Sequence, residues 1–262
     1  MKNKPIGIFD SGIGGTSIWK EVIKLLPNEN TIYLADSINA PYGEKSPEEI
    51  ILLSIKNTEL LISKGCKLII VACNTATTNA IDYLRKTYTI PFIGIEPAIK
   101  PAALLSKTGA IGILATKGTL TSKLFEKTAA EYTKNITTIE QDGEGLVPLI
   151  EAGKLNSKEL NELLSTYLKP MLNFNIDHLV LGCTHYPYLI PQIKEILGSD
   201  VNIIDSGEAV AKQTKVVLEK NNLLSAKTTF SQHQFYTNIN SKVLQEILHN
   251  VLAKFSVEKM EF

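Results

Sequence analysis

Two cysteines stand out by what precedes and follows them. Cys73 closes the apolar run Leu68-Ile69-Ile70-Val71-Ala72 and leads into Asn74-Thr75. Cys183 closes Leu179-Val180-Leu181-Gly182 and leads into Thr184-His185. A thiol titrates near pH 8.5, close to working pH, so it can both take and give a proton. A thiol on either side of one carbon can remove a proton from one face and return it to the other. The segment Ile6-Gly7-Ile8-Phe9-Asp10-Ser11 has a weaker echo in Ile111-Gly112-Ile113-Leu114-Ala115-Thr116. This repetition predicts two half-molecules of like build. Each would present its thiol at the C-terminal end of a buried strand, across one cleft.

Other readings compete for the same residues. Asp10-Ser11-Gly12-Ile13-Gly14-Gly15 suggests a dinucleotide turn, but Ser17 stands where the third glycine belongs. The Asp10 carboxylate would also repel a pyrophosphate. A small anion held by the turn's N–H groups, with Asp10 facing a thiol or an ammonium, is the expectation here. Cys183 and His185 are too few ligands for zinc. A hydrolase or glutaminase using Cys183 with His185 as base explains one cysteine and leaves Cys73 idle. A thiol beside a helix N-terminus has its thiolate favoured by N–H donors, while burial opposes it. Pro41-Tyr42-Gly43 reads as a turn that could line a cleft rim. Cys66, without a polar companion, reads as a structural thiol.

Strand patterns at 5–9, 31–35, 68–72, 91–95, 110–114, 136–140, 178–182 and 201–205 alternate with helical ones. The clearest helix runs from Pro47 to Lys64, with Ser46 as N-cap, Glu49 completing a capping box and Gly65 after its end. Such alternation means α/β units on mainly parallel sheets. Ligands of such sheets bind beyond the carboxyl ends of the strands, where both cysteines fall. Two similar α/β domains related by a pseudo-twofold axis are therefore expected, with the site between them. One comprises residues 1–97 plus 208–262 and carries Asp10 and Cys73. The other comprises residues 98–207 and carries Cys183 and His185.

The chain has 262 residues, 44% of them apolar, with 27 basic and 27 acidic side chains. Zero formal charge without a like-charge block removes the electrostatic case for nucleic acid or an anionic membrane. No run approaches a membrane span, and Gly7 and Asp10 interrupt the first apolar stretch too early for a signal peptide. Three cysteines without a CxxC pair suit a reducing compartment. A cytoplasmic enzyme is expected.

The motifs together resemble the bacterial glutamate racemases. The matching segments are Phe9-Asp10-Ser11-Gly12-Ile13-Gly14-Gly15, Pro41-Tyr42-Gly43, Val71-Ala72-Cys73-Asn74-Thr75-Ala76, Gly94-Ile95-Glu96-Pro97-Ala98, Leu181-Gly182-Cys183-Thr184-His185-Tyr186-Pro187 and Ile204-Asp205-Ser206-Gly207. The resemblance implies a cofactor-independent, metal-free racemase, homodimeric, that interconverts L- and D-glutamate and supplies D-glutamate for peptidoglycan. It implies that Cys73 takes the proton from D-glutamate with help from Asp10, and Cys183 that from L-glutamate with help from His185. Glu151 matches an acidic position that orients His185. Asp10, Ser11, Tyr42, Gly43, Asn74, Thr75, Thr184 and His185 match substrate-binding positions, and Thr116 and Thr119 belong with them. A racemase of another acidic amino acid, such as aspartate, is the nearest alternative. The chain departs from the pattern at Gly143-Glu144-Gly145, where many members carry Cys-Pro.

Overall fold

In a computed structural model, described for residues 2–95, 97–226 and 231–262, ten strands form two parallel sheets. The strands are β1 (Ile6–Asp10), β2 (Thr31–Ala35), β3 (Leu68–Val71), β4 (Phe92–Gly94), β5 (Ala110–Ala115), β6 (Thr137–Asp142), β7 (His178–Gly182), β8 (Asn202–Ile204), β9 (His233–Thr237) and β10 (Phe255–Lys259). The larger sheet has the order β10-β9-β2-β1-β3-β4, the smaller β6-β5-β7-β8. The order β2-β1-β3-β4 thus recurs, strand for strand, as β6-β5-β7-β8. Cys73 follows β3 and Cys183 follows β7, so the two thiols hold corresponding places. The fold is α/β, as the alternating pattern predicts.

The central strands are apolar over most of their length, as befits strands of a parallel sheet covered on both faces. β1, β3, β5 and β7 are buried at every residue. The helix Pro47–Ser63 begins as expected, with Ser46 Oγ accepting the Glu49 N–H. Its capping box is only half made, because the Glu49 carboxylate turns to Lys45 Nζ at 2.7 Å. All eight expected strands are present. β9 and β10 are additional; they extend the larger sheet beyond β2. Glu96, in the expected boundary and in one matching segment, lies outside the described residues. Among the described residues no helix is long and apolar enough to cross a membrane.

Candidate active site between the two sheets

The helix Asn74–Thr87 starts at Cys73, whose Sγ accepts the Ala76 N–H at 3.4 Å. The thiol is thus an N-cap. Its Sγ also lies 3.7 Å from Ser11 Oγ. Burial nevertheless pushes the Cys73 thiol far up, and the neighbouring Asp10 carboxyl adds to the rise. Desolvation and like charge outweigh the helix N-terminus here, so Cys73 rests as a thiol.

Cys183 has a different setting. Its Sγ lies 3.7 Å from His185 Nδ1. His185 Nε2 lies 2.6 Å from Glu151 Oε1, a separation that needs a proton between them. The Gly14 N–H also points at this nitrogen, 3.2 Å away. Burial alone would lower the pKa of His185. Its bonds to Cys183 and Glu151 win, and the ring is held well above the ordinary histidine range.

The glycine-rich turn has a purpose other than the expected one. Asp10 Oδ2 accepts both the Gly12 and the Gly15 N–H at 3.0 Å. Glu151 Oε1 accepts the Ile13 N–H at 2.7 Å. The turn's donors are therefore taken by carboxylates of the chain, which corrects the expectation of an anion cradle. The glycines permit close approach instead. A Cβ on Gly12 would run into the Glu151 carboxylate, and one on Gly14 into the His185 ring. Asp10 Oδ1 accepts the Thr184 hydroxyl at 3.1 Å, a bond from one sheet's turn to the other's. Burial pushes the Asp10 carboxyl up to about 6, against the pull of His185 and the Gly15 N–H.

Between the thiols lies a cavity lined by Ser11, Pro41, Tyr42, Gly43, Cys73, Asn74, Thr75, Thr116, Val147, Cys183, Thr184 and His185. Most of the sequence-predicted residues therefore line one cavity. Asp10 and Glu151 stand behind it, and Thr119 joins it through hydroxyl contacts with Thr75 and Thr116 at 3.3 and 3.1 Å. Asn74 is buried with neither amide atom partnered, so its polar end is free for a ligand carboxylate. The closed cavity measures about 10 Å³, room for about one water. An outer cavity of about 500 Å³ adjoins it and shares Pro41, Gly43, Thr116 and Val147 with it.

The model of the Asp/Glu/hydantoin racemases matches residues 14–214 of this sequence. The chain belongs to that family. A glutamate racemase of Herpetosiphon aurantiacus is 44% identical over 238 residues, covering 91% of this chain and 94% of its own. The solved glutamate racemase isoform of Bacillus anthracis superposes with a TM-score of 0.87 at 31% identity, covering 100% of this chain and 99% of its own. The Francisella tularensis glutamate racemase, solved with D-glutamate, gives 0.83 at 30% identity over 98% of each chain.

Within this racemase family member, Gly143-Glu144-Gly145 has a physical reason. A Cβ on Gly143 would meet the Tyr186 hydroxyl, and Tyr186 is a fully buried ring that cannot swing aside. Gly145 has φ +78° and starts the helix Leu146–Glu151, which carries the acid behind His185. Sequence reasoning passed over Val147 as a cavity residue, since an apolar position in the first turn of a helix looks like core. Cys66 is a structural thiol as read: it packs against Gly7, and burial pushes it up to about 12. Among the described residues no group of three His, Cys, Asp or Glu side chains is arranged to hold a metal ion.

Proposed function

We propose that the chain interconverts L- and D-glutamate by proton removal at Cα with one thiol and return from the other, without cofactor or metal. The observation that supports this is a single cavity lined by both Cys73 and Cys183. His185, held well above the ordinary histidine range, keeps a positive charge beside Cys183, while burial keeps the proton on Cys73. That resting state is set to abstract from L-glutamate at Cys183 and to protonate from Cys73. Asp10 then receives the proton exchange that resets Cys73, and His185 does so for Cys183. Asn74, Ser11, Thr75 and Thr184 offer donors to the substrate carboxylates, which the carbanion needs as charge spreads onto them. Exclusion of water keeps the thiolate unsolvated and strong. The relatives named as glutamate racemases favour glutamate over aspartate.

The two halves are taken as residues 1–97 with 208–262, and 98–207, because β9 and β10 join the first sheet. A homodimer, a cytoplasmic location and supply of D-glutamate to peptidoglycan follow from the resemblance and are part of the same proposal. Incubation with L-glutamate in deuterated water, after dialysis against chelator and without added cofactor, tests the reaction. The expected result is inversion accompanied by α-deuteration. Inversion that required zinc, a nicotinamide nucleotide or pyridoxal phosphate would overturn the cofactor-free reading.

One rival has an observation in its favour. Cys183, His185 and Glu151 are linked in the order of a nucleophile, a base and its orienting acid. A glutaminase built on them would release ammonia from glutamine and would keep doing so with Cys73→Ser. The two-thiol reading expects each of Cys73→Ser and Cys183→Ser to lose racemisation, since a hydroxyl is a far weaker acid and base at neutral pH. Near-wild-type racemisation by either variant would sink it.

A further inference from the structure

The wall that carries Tyr42 and Gly43 is held from behind by residues far away in sequence. The Tyr42 hydroxyl donates to Asp36 Oδ2 at 2.5 Å. Asp36 is fully buried at the C-terminal end of β2. Its Oδ1 accepts from Asn39 Nδ2 at 2.8 Å and from Asn238 Nδ2 at 2.6 Å, with Lys56 Nζ 3.6 Å away. Asn57 Nδ2 donates to the Tyr42 hydroxyl oxygen at 3.2 Å. Asn238 also uses its other end: its Oδ1 accepts the Ile38 N–H at 2.9 Å. The sheet register explains why it can. Ala35 pairs with Thr237, so the next residues, Asp36 and Asn238, leave the sheet side by side.

We propose that Asn238 is a positioning residue for substrate binding. By bridging the Asp36 carboxylate and the Ile38 N–H, one amide fixes the turn of residues 36–43 and so fixes where Tyr42 and Gly43 stand in the cavity. Asn238 does not line the cavity and contacts neither thiol. An amide suits the place because it donates and accepts at once. A carboxylate there could serve Ile38 but would oppose Asp36, and an alanine would serve neither. The inference rests on the reading of the cavity as the glutamate site. Tyr42 and Gly43 would touch substrate before and during proton transfer, so their displacement should act on binding throughout the reaction. A loss of that kind appears in KM and leaves kcat nearly unchanged.

The test compares wild type, Asn238→Ala and Asn238→Asp. Asn238→Ala should raise KM for both enantiomers by up to about 10- to 150-fold, the range for a hydrogen bond to a charged partner, with kcat little changed. Asn238→Asp sets two carboxyl groups against each other, and one of them takes up a proton as pH falls. That proton restores a donor between them. The KM of Asn238→Asp relative to wild type should therefore fall on going from about pH 8 to about pH 6, while the ratio for Asn238→Ala stays flat. The charged and titratable groups around this point are Asp36, Lys56 and Tyr42, with Cys73 and Asp10 acting through Tyr42. Lys56, Tyr42, Cys73 and Asp10 are common to the three proteins and cancel in the ratio; Asp36 differs only in Asn238→Asp, where it faces the new carboxyl. An unchanged KM in Asn238→Ala, or a flat ratio in Asn238→Asp, overturns the proposal. A lowered Tm with KM intact does the same, since it assigns Asn238 a merely structural role. Calorimetric titration with D-glutamate separates the two readings. Weaker binding by Asn238→Ala in a protein that fails to racemise would support the role of Asn238 and sink the proposed reaction.

Discussion

Two identical side chains receive opposite treatment in one cavity. Cys73 meets a helix N-terminus, a serine and a buried carboxyl; Cys183 meets a histidine backed by a glutamate. Asp10→Asn and His185→Asn should therefore act unequally on the two proton transfers. Both enantiomers have equal free energy, so kcat/KM must fall equally in both directions. The asymmetry belongs in the separate kcat values and in the deuterium isotope effect on each α-proton step. Loss of acid or base help costs about 10²–10⁴-fold. Isotope effects and kcat values that change identically for D- and L-glutamate would leave the pairing of Asp10 with Cys73 without support. Asp10 also carries a stability cost. Its folded pKa of about 6 lies above the unfolded value of 3.8, so the native state binds more protons between those values and stability falls as pH rises through that window. Asp10→Asn removes the buried charge. It should stabilise the protein at pH 7 by about 1–3 kcal/mol in urea titration, with the gain vanishing below about pH 4, although activity is lost. The thiols, Asn74 and His185 were legible in sequence because they directly follow strand ends. The Asp36–Asn238 bond was not, because it joins residues 202 apart and leaves no local pattern.

At the scale of elements, β1, β2, β3, β5 and β7 could be read from their apolar runs because they are buried at every residue. β9 and β10 escaped because His-Gln-Phe-Tyr-Thr and Phe-Ser-Val-Glu-Lys alternate inward and outward residues, a pattern too short to tell from a loop. The start of the helix Leu146–Glu151 shows a second limit. Gly143, just before it, answers to Tyr186, which sits on the turn after β7 and is invisible from the local sequence. Gly143→Ala should destabilise the protein by about 1–3 kcal/mol through overpacking, measured by thermal unfolding. Tyr186→Phe in the same chain should recover part of that loss, because the hydroxyl is the nearest obstacle but the ring carbon behind it is also close. No recovery would mean that the strain lies in the Gly143 backbone and not against Tyr186.

The whole molecule keeps its chemistry at one edge of its sheets and an unrelated device at the other. Lys67, just before β3, is paired with Glu29 at 2.5 Å, with both side chains almost wholly buried. Lys67 Nζ also donates to the carbonyls of Lys2 and Leu223, and Glu29 accepts the Ser225 N–H. The pair ties the first residues and the segment after the helix Gly207–Lys220 to the base of the larger sheet. Lys67→Met would leave Glu29 charged and buried, a loss of about 3–5 kcal/mol. The change should appear in the urea midpoint while kcat of the folded fraction stays as in wild type. A large drop in kcat would mean that the two edges are coupled.

The closed cavity between the thiols has a kinetic consequence. In the proposed two-thiol reaction, a turnover from L- to D-glutamate would leave one sulfur with a proton it lacked and the other without the one it had. The free protein then suits the reverse reaction and must exchange protons before repeating the forward one. Both sulfurs are buried, so this exchange runs through Asp10 and His185 or waits for the cleft to open. With ample substrate, that recovery, and not the breaking of the Cα–H bond, would come to set the pace. For a time after each release, the protein holds a record of the hand of the last molecule to leave.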